Sequence, residues 1–267
     1  MKVVDWITVW VMAAVILLAI AIASAESAVL WTGDAEPCDV GDWSTGGVAY
    51  GGVTATTGSK KNGTCGYNVE VTDPAVDHDE GKTFKWTLPN GNHLDVGYYY
   101  KGWYKIKVDA VGPPYVHYMQ WKEWKQGAPP CGVVMTIDVV DRGRGRELEL
   151  THFSCTTGGE PCIDFPGDLA GTPTGVYRAA TATIVPFDTW FTLEAYFQPK
   201  AIWGEITVWL NGAQIFSYTA DNFNLLNSEC DDNTAVYWGS GLYPAPTSGG
   251  LQKIWMDDLK ICDAACP

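Results

Sequence analysis

Two stretches place side chains able to do chemistry on single strand faces. Tyr118, Gln120, Lys122 and Trp124 occupy every second position, so an extended chain points an amide, an ammonium and two aromatic rings the same way. Between Tyr98 and Val108 one parity carries Tyr98, Tyr100, Gly102, Tyr104, Ile106 and Val108, a core face, while the other carries Tyr99, Lys101, Trp103, Lys105 and Lys107. Trp190, Glu194, Tyr196 and Trp209 also fall on parities that mix rings with polar groups. Aromatic faces with polar handles can stack on sugar rings, and the lysines can hold an acidic group. Core and edge packing accounts for most aromatics in a chain with thirteen Trp and thirteen Tyr, and sugar recognition needs only a few of them in one groove.

Other chemistries fit less well. His117 shares a parity with Met119 and Trp121, which reads as a satisfied core histidine ahead of a base. His152 has no evident partner. The four histidines are scattered and no C-x-x-C occurs, so zinc is not expected. A serine hydrolase would want a G-x-S-x-G elbow, and the chain has none. Glu147 and Glu149 share a parity without an aspartate inside that pattern, leaving a retaining glycosidase in third place. A net charge of −14 speaks against nucleic acid. From Lys82 to Arg146, however, ten Lys or Arg stand against five Asp or Glu, which is either ordinary surface scatter or a local site for an acidic ligand.

The elements that must position these residues are strands. The sequence has 267 residues, enough for one sandwich domain. Lys2 precedes an apolar run from Trp6 to Ala23 that closes on Ala23-Ser24-Ala25. Residues 1–25 therefore read as a cleaved secretory signal, with an uncleaved membrane anchor as the competitor, and residues 26–267 as the folded domain. All eight cysteines follow the cleavage pattern, as expected of disulfides outside the cytoplasm, with the pairing left open. Gly, Pro, Asn and Asp clusters separate short alternating segments. Val133 to Val139, Phe191 to Phe197 and Ile206 to Leu210 alternate with period two, and Asn211-Gly212 before Ile215 to Tyr218 marks a hairpin. The fold class is all-β: two antiparallel sheets in a sandwich.

Several of these segments together resemble the concanavalin A-like jelly-roll polysaccharide lyases, especially heparin lyase I-like and glucuronan lyase-like proteins. Tyr118-Met-Gln120-Trp-Lys122 is similar to their Q-W-K strand, Phe187-Asp-Thr-Trp190 through Glu194-Ala-Tyr196 to their W-to-E strand, and Gly204 to Gly212 to their V-W-x-N-G hairpin. Ile254-Trp-Met-Asp257-Asp258-Leu-Lys-Ile261 is similar to the closing strand. The likeness runs from about Asp34 to Ile261. Laminin G-like and lectin domains share the last two motifs.

The resemblance implies β-elimination on a uronic-acid polymer, with one group neutralising the C6 carboxylate, a base taking the C5 proton and an acid protonating the leaving oxygen. Related alginate lyases carry this on Q-I-H and Y-F-K-A-G-V-Y patterns. Gln120 matches the glutamine, Lys122 stands where the histidine would be, and Tyr237 to Tyr243 matches the second pattern at Tyr237, Gly241 and Tyr243, with Gly239 in place of its lysine. Tyr243 is then the implied base and acid, Gln120 the carboxylate holder and Lys122 the charge that lowers the tyrosine's pKa. Tyr99, Lys101, Trp103, Lys105, Tyr118, Trp124, Glu194, Tyr196 and Trp209 are the implied substrate contacts. No cofactor is required. A structural calcium at Asp257, with oxygens from Gly33 to Glu36, is implied by related jelly rolls, a solvated turn being the plainer reading. The expectation is a secreted, monomeric lyase-like protein acting on an acidic polysaccharide. A non-catalytic, lectin-like or laminin G-like binding module is the alternative, and convergence of Gln120, Lys122 and Tyr243 in one cleft would favour the lyase.

Overall fold

The computed structural model describes residues 27–43, 52–71, 81–85, 88–94, 96–108, 116–124, 132–141, 146–152, 175–178, 183–200, 204–219, 235–242 and 252–267. Residues 1–25, expected as a secretory signal or membrane anchor, and Tyr243 lie outside them. Among the described residues no helix is long and apolar enough to cross a membrane.

The strands are β1 (Val29–Gly33), β2 (Gly52–Thr56), β3 (Gly66–Val71), β4 (Gly81–Lys85), β5 (Tyr98–Val108), β6 (Val116–Trp124) and β7 (Gly132–Asp141). They continue with β8 (Arg146–His152), β9 (Gly175–Arg178), β10 (Phe191–Gln198), β11 (Glu205–Leu210), β12 (Ala213–Thr219), β13 (Ala235–Leu242) and β14 (Gln252–Cys262). One sheet has eight strands in the order β12-β11-β10-β5-β14-β3-β2, with β1 also on β14; the other has six, β4-β13-β6-β7-β8-β9. Every ladder is antiparallel. Long-range pairing of this kind suits a chain rich in β-branched and aromatic residues broken by turn formers.

The alternation seen in β5 and β10 is the alternation of the fold. Tyr100, Tyr104, Ile106, Phe191, Leu193, Ala195 and Phe197 are buried between the sheets, facing Met119, Trp121, Met135, Ile137, Leu148, Leu150 and Trp238. Trp121 stacks on Phe197 with ring centroids 4.7 Å apart and meets Tyr100 edge-on at 5.4 Å. Tyr104 and Ser240 share a hydrogen bond of 2.9 Å across the core, which satisfies two hydroxyls that would otherwise be costly to bury. Asn211 (φ 50°) and Gly212 (φ 77°) join β11 to β12, the left-handed pair that a two-residue hairpin requires.

Two disulfides, Cys38–Cys65 and Cys262–Cys266, tie loops to the eight-stranded sheet. The other four cysteines lie outside the described residues.

Candidate functional site

The outer face of the six-stranded sheet, turned away from the core, gathers polar side chains that are nevertheless buried. Across its strands Phe84 pairs with Gly239, Gly239 with Gln120, Gln120 with Thr136, and Thr136 with Thr151. Residues in register share a face, so these five line one row. In the neighbouring rows Tyr237 pairs with Lys122, and Asp138 pairs with Glu149.

Gln120 is 2% exposed, and neither its Nε2 nor its Oε1 has a hydrogen-bond partner among the described residues. The indole nitrogens of Trp43, Trp121 and Trp238 are also unpartnered, but those rings pack in the aromatic core. Gln120 sits on the opposite face with two strong polar atoms. A buried amide left wholly unpaired costs free energy, and such groups in native folds call for an explanation such as a missing ligand.

Gly239 is what lets the amide and a ring lie side by side. A Cβ on Gly239 would overlap the Phe84 ring and come 3.1 Å from Gln120 Nε2. A side chain as long as the lysine of the expected pattern therefore has no room at this position, and the space belongs to Phe84. Lys122 Nζ approaches the same ring at 5.6 Å from its centroid, and Tyr237 meets it edge-on at 5.3 Å. Tyr237, 4% exposed, was not singled out from sequence as a site residue, although its parity with Gly239 and Gly241 held the clue.

Asp138 is the other residue that strand-by-strand reading missed. Its Oδ2 accepts hydrogen bonds from Thr136 Oγ1 at 2.9 Å and Thr151 Oγ1 at 2.8 Å. Glu147 and Glu149 do have an aspartate beside them after all, supplied by β7 and not by their own strand.

Tyr118 does not join Gln120 and Lys122. It is 2% exposed and its ring meets Tyr104 at right angles, 6.1 Å away, between the sheets. The cause is an irregularity in the pairing of β6 with β7 between His117 and Met119, a bulge that adds one residue and breaks the alternation. Trp124 lies at the end of β6 opposite Ala235, its side chain outside the described residues.

The remaining expected contacts collect on the other side of the molecule. Tyr99, Lys101, Trp103, Lys105, Glu194, Tyr196 and Trp209 are half-buried on the outer face of the eight-stranded sheet. Tyr99 stacks near Trp209 at 6.0 Å and touches Tyr196 at 4.9 Å. Lys101 donates to the Cys266 carbonyl at 2.8 Å and lies 3.7 Å from Glu194, which accepts the Cys266 N–H at 3.2 Å. This pair holds the Cys262–Cys266 loop. Lys105 bridges to Asp188 at 3.0 Å over the Trp255 ring. The basic stretch is thus divided. Lys101 and Lys105 serve this face and Lys122 the opposite one, while Lys85 points inward, donating to the Asp42 carbonyl at 3.0 Å over the Trp31 ring, where burial lowers its pKa.

Asp257 is buried at a bulge in β14. Its Oδ2 accepts the N–H groups of Lys61 and Asn62 at 2.6 and 2.8 Å, and Oδ1 that of Asp258 at 2.9 Å. Burial raises its pKa against the pull of those donors. Glu36 is spent in the same way on the N–H groups of Thr64 and Cys65, and Asp34 on that of Glu36. These carboxylates serve as acceptors for backbone N–H groups, and no cluster of three His, Cys, Asp or Glu able to hold a metal occurs among the described residues.

No family model matches the sequence, and no curated protein matches it either. Solved structures do share the fold. The endo-β-1,4-glucuronan lyase of the fungus Trichoderma reesei superposes with a TM-score of 0.63 at 13% identity, over 88% of this chain and 95% of that one. The marine alginate lyase of Aplysia kurodai gives 0.59 at 12%, over 88% and 98%. Botulinum neurotoxin type C, whose cell entry depends on interaction with two ganglioside molecules, gives 0.51 at 12%, over 91% of this chain and 49% of that one. The chain is a β-sandwich of the kind that jelly-roll polysaccharide lyases adopt, and a fold shared that widely does not by itself select a chemistry.

Proposed function

We propose that this chain is a polysaccharide lyase-like protein that opens an acidic, uronate-containing polymer by β-elimination on the outer face of its six-stranded sheet. The observation that carries the reading is Gln120, a buried amide with both polar atoms unpartnered. Its Nε2 can donate to a C6 carboxylate and spread the charge that grows as the C5 proton leaves, the kind of preorganised help that dominates many active sites. Lys122, on the same face, adds a positive charge nearby. Tyr243, one residue past β13, is the tyrosine implied as acid and base, and Tyr237 is a second hydroxyl on that strand. The glucuronan and alginate lyases that share the fold support a polysaccharide partner, and the two disulfides support an oxidising, extracellular setting.

The test is a panel of uronic-acid polymers assayed for the absorbance of the unsaturated uronate product. Turnover lost in Gln120→Ala and Tyr243→Phe supports the assignment; no product from any polymer sinks it. A binding module is the second reading, favoured by the ring-lined outer face of the eight-stranded sheet, where Tyr99, Tyr196 and Trp209 cluster. Retained polymer binding without product, abolished by Trp209→Ala, would select it.

A further inference from the structure

A regular β6 would place His117 with Met119 and Trp121 in the core. The ladder does otherwise. His117 pairs with Asp138 while Met119 pairs with the adjacent Ile137, so Tyr118 is the extra residue of a bulge, and it is Tyr118 that enters the core. The register position of His117 is therefore that of Asp138. Asp138 belongs to the outer face, because its carboxylate accepts from Thr136 and Thr151 and Thr136 is the register partner of Gln120. One inserted residue moves a histidine position from the core parity to the row beside the unpartnered amide, and bulges that re-aim a residue in this way are frequent next to active sites.

We propose that His117 is a further catalytic residue, taking from Tyr243 the role of base in the elimination and leaving it that of acid, with Asp138 in register beside it as its partner; otherwise this rests on the lyase reading above. An imidazole suits the role of base near neutral pH. Lys122 is an ammonium whose unperturbed pKa is about 10.4, whereas an imidazole titrates near 6.5. The neutral imidazole takes the C5 proton, the C5–H electron pair forms the C4=C5 double bond, and the C4–O4 bond breaks with its pair on O4. O4 then takes a proton from a tyrosine hydroxyl, for which Tyr243 is the donor, and both groups reset by proton exchange with water. Asp138 stabilises the imidazolium formed on the way. The charged residues in the same row are Asp138 on β7, Glu149 on β8 and Arg178 on β9, with Glu147 two residues along β8 and Lys122 further along β6.

Two measurements on the full chain test this. The sequence has four histidines, so the ring signals can be assigned by NMR with His117→Gln. The His117 signal should titrate above the ordinary histidine range and drop toward it in Asp138→Asn. Should that variant fail to fold, Thr136→Val, which removes one hydroxyl from Asp138, must move the same signal. In the product assay, His117→Ala should lose roughly 100-fold or more of the turnover and regain part of it on addition of imidazole, a rescue that a structural role would not give. A His117 signal indifferent to both variants, or a folded His117→Ala with wild-type turnover or no imidazole rescue, overturns the proposal. A wild-type protein that yields no unsaturated product overturns the lyase reading and the catalytic role with it, and the NMR titration separates that outcome from failure of the His117–Asp138 pair.

Discussion

Replacing Gln120 with methionine should make the protein more stable and less active at once. The two side chains have the same length and similar volume, so the space beside Gly239 and Phe84 stays filled. What changes is the amide, which is 2% exposed and unpartnered at both polar atoms. An unsatisfied buried polar group costs about 1–3 kcal/mol, so its removal should return about 2 kcal/mol. For a domain of this size that corresponds to a rise in Tm of about 4–8 °C. Thermal and denaturant unfolding measure the gain, and the unsaturated-product assay measures the loss. Gln120→Ala separates the two effects, since it also removes the amide but leaves a void and should not be stabilised. A Gln120→Met protein with lowered Tm, or with intact turnover, would refute the view that this amide waits for a ligand carboxylate.

Gly239→Ala should destabilise by driving a Cβ into the Phe84 ring, and Phe84→Ala should relieve much of that penalty, so the double variant is less destabilised than the sum of the singles; additive unfolding energies would refute the contact. The Glu36 carboxyl is held below its ordinary 4.5, first by the Cys65 N–H and then by that of Thr64. A depressed acid stabilises the fold above its unfolded pKa and loses that contribution as pH falls through the folded one. The stability difference between wild type and Glu36→Gln should therefore be constant near neutrality and shrink below pH 4.5, as acid-unfolding curves can read. Burial pushes the hydroxyls of Tyr67, Tyr100, Tyr104 and Tyr118 far above the usual tyrosine range. In an alkaline absorbance titration these four should stay silent until the fold opens, and their ionisation in native protein would contradict the core described above.

What the sequence determined by itself was local. The period-two patterns of β5 and β10 and the Asn211-Gly212 turn were legible because alternation and backbone handedness depend on neighbours along the chain. Gln120 and Lys122 were legible as a pair for the same reason, being two residues apart on one strand that pairs with β13 in unbroken register.

Which exterior a polar parity faces is a different matter. Tyr99, Trp103 and Trp209 read like Gln120 and Lys122, yet the two groups lie on opposite sides of the molecule, because strand order and not strand pattern assigns a segment to a sheet. Phe84, Tyr237 and Asp138 entered the site from other strands through register, which no single segment encodes. The bulge at Tyr118 arises only from β6 meeting β7; it sends a tyrosine expected outside into the core and gives His117 the register position of Asp138. The tertiary structure alone decided these points, since a face belongs to a pair of strands and a one-residue slip between them exchanges inside for outside.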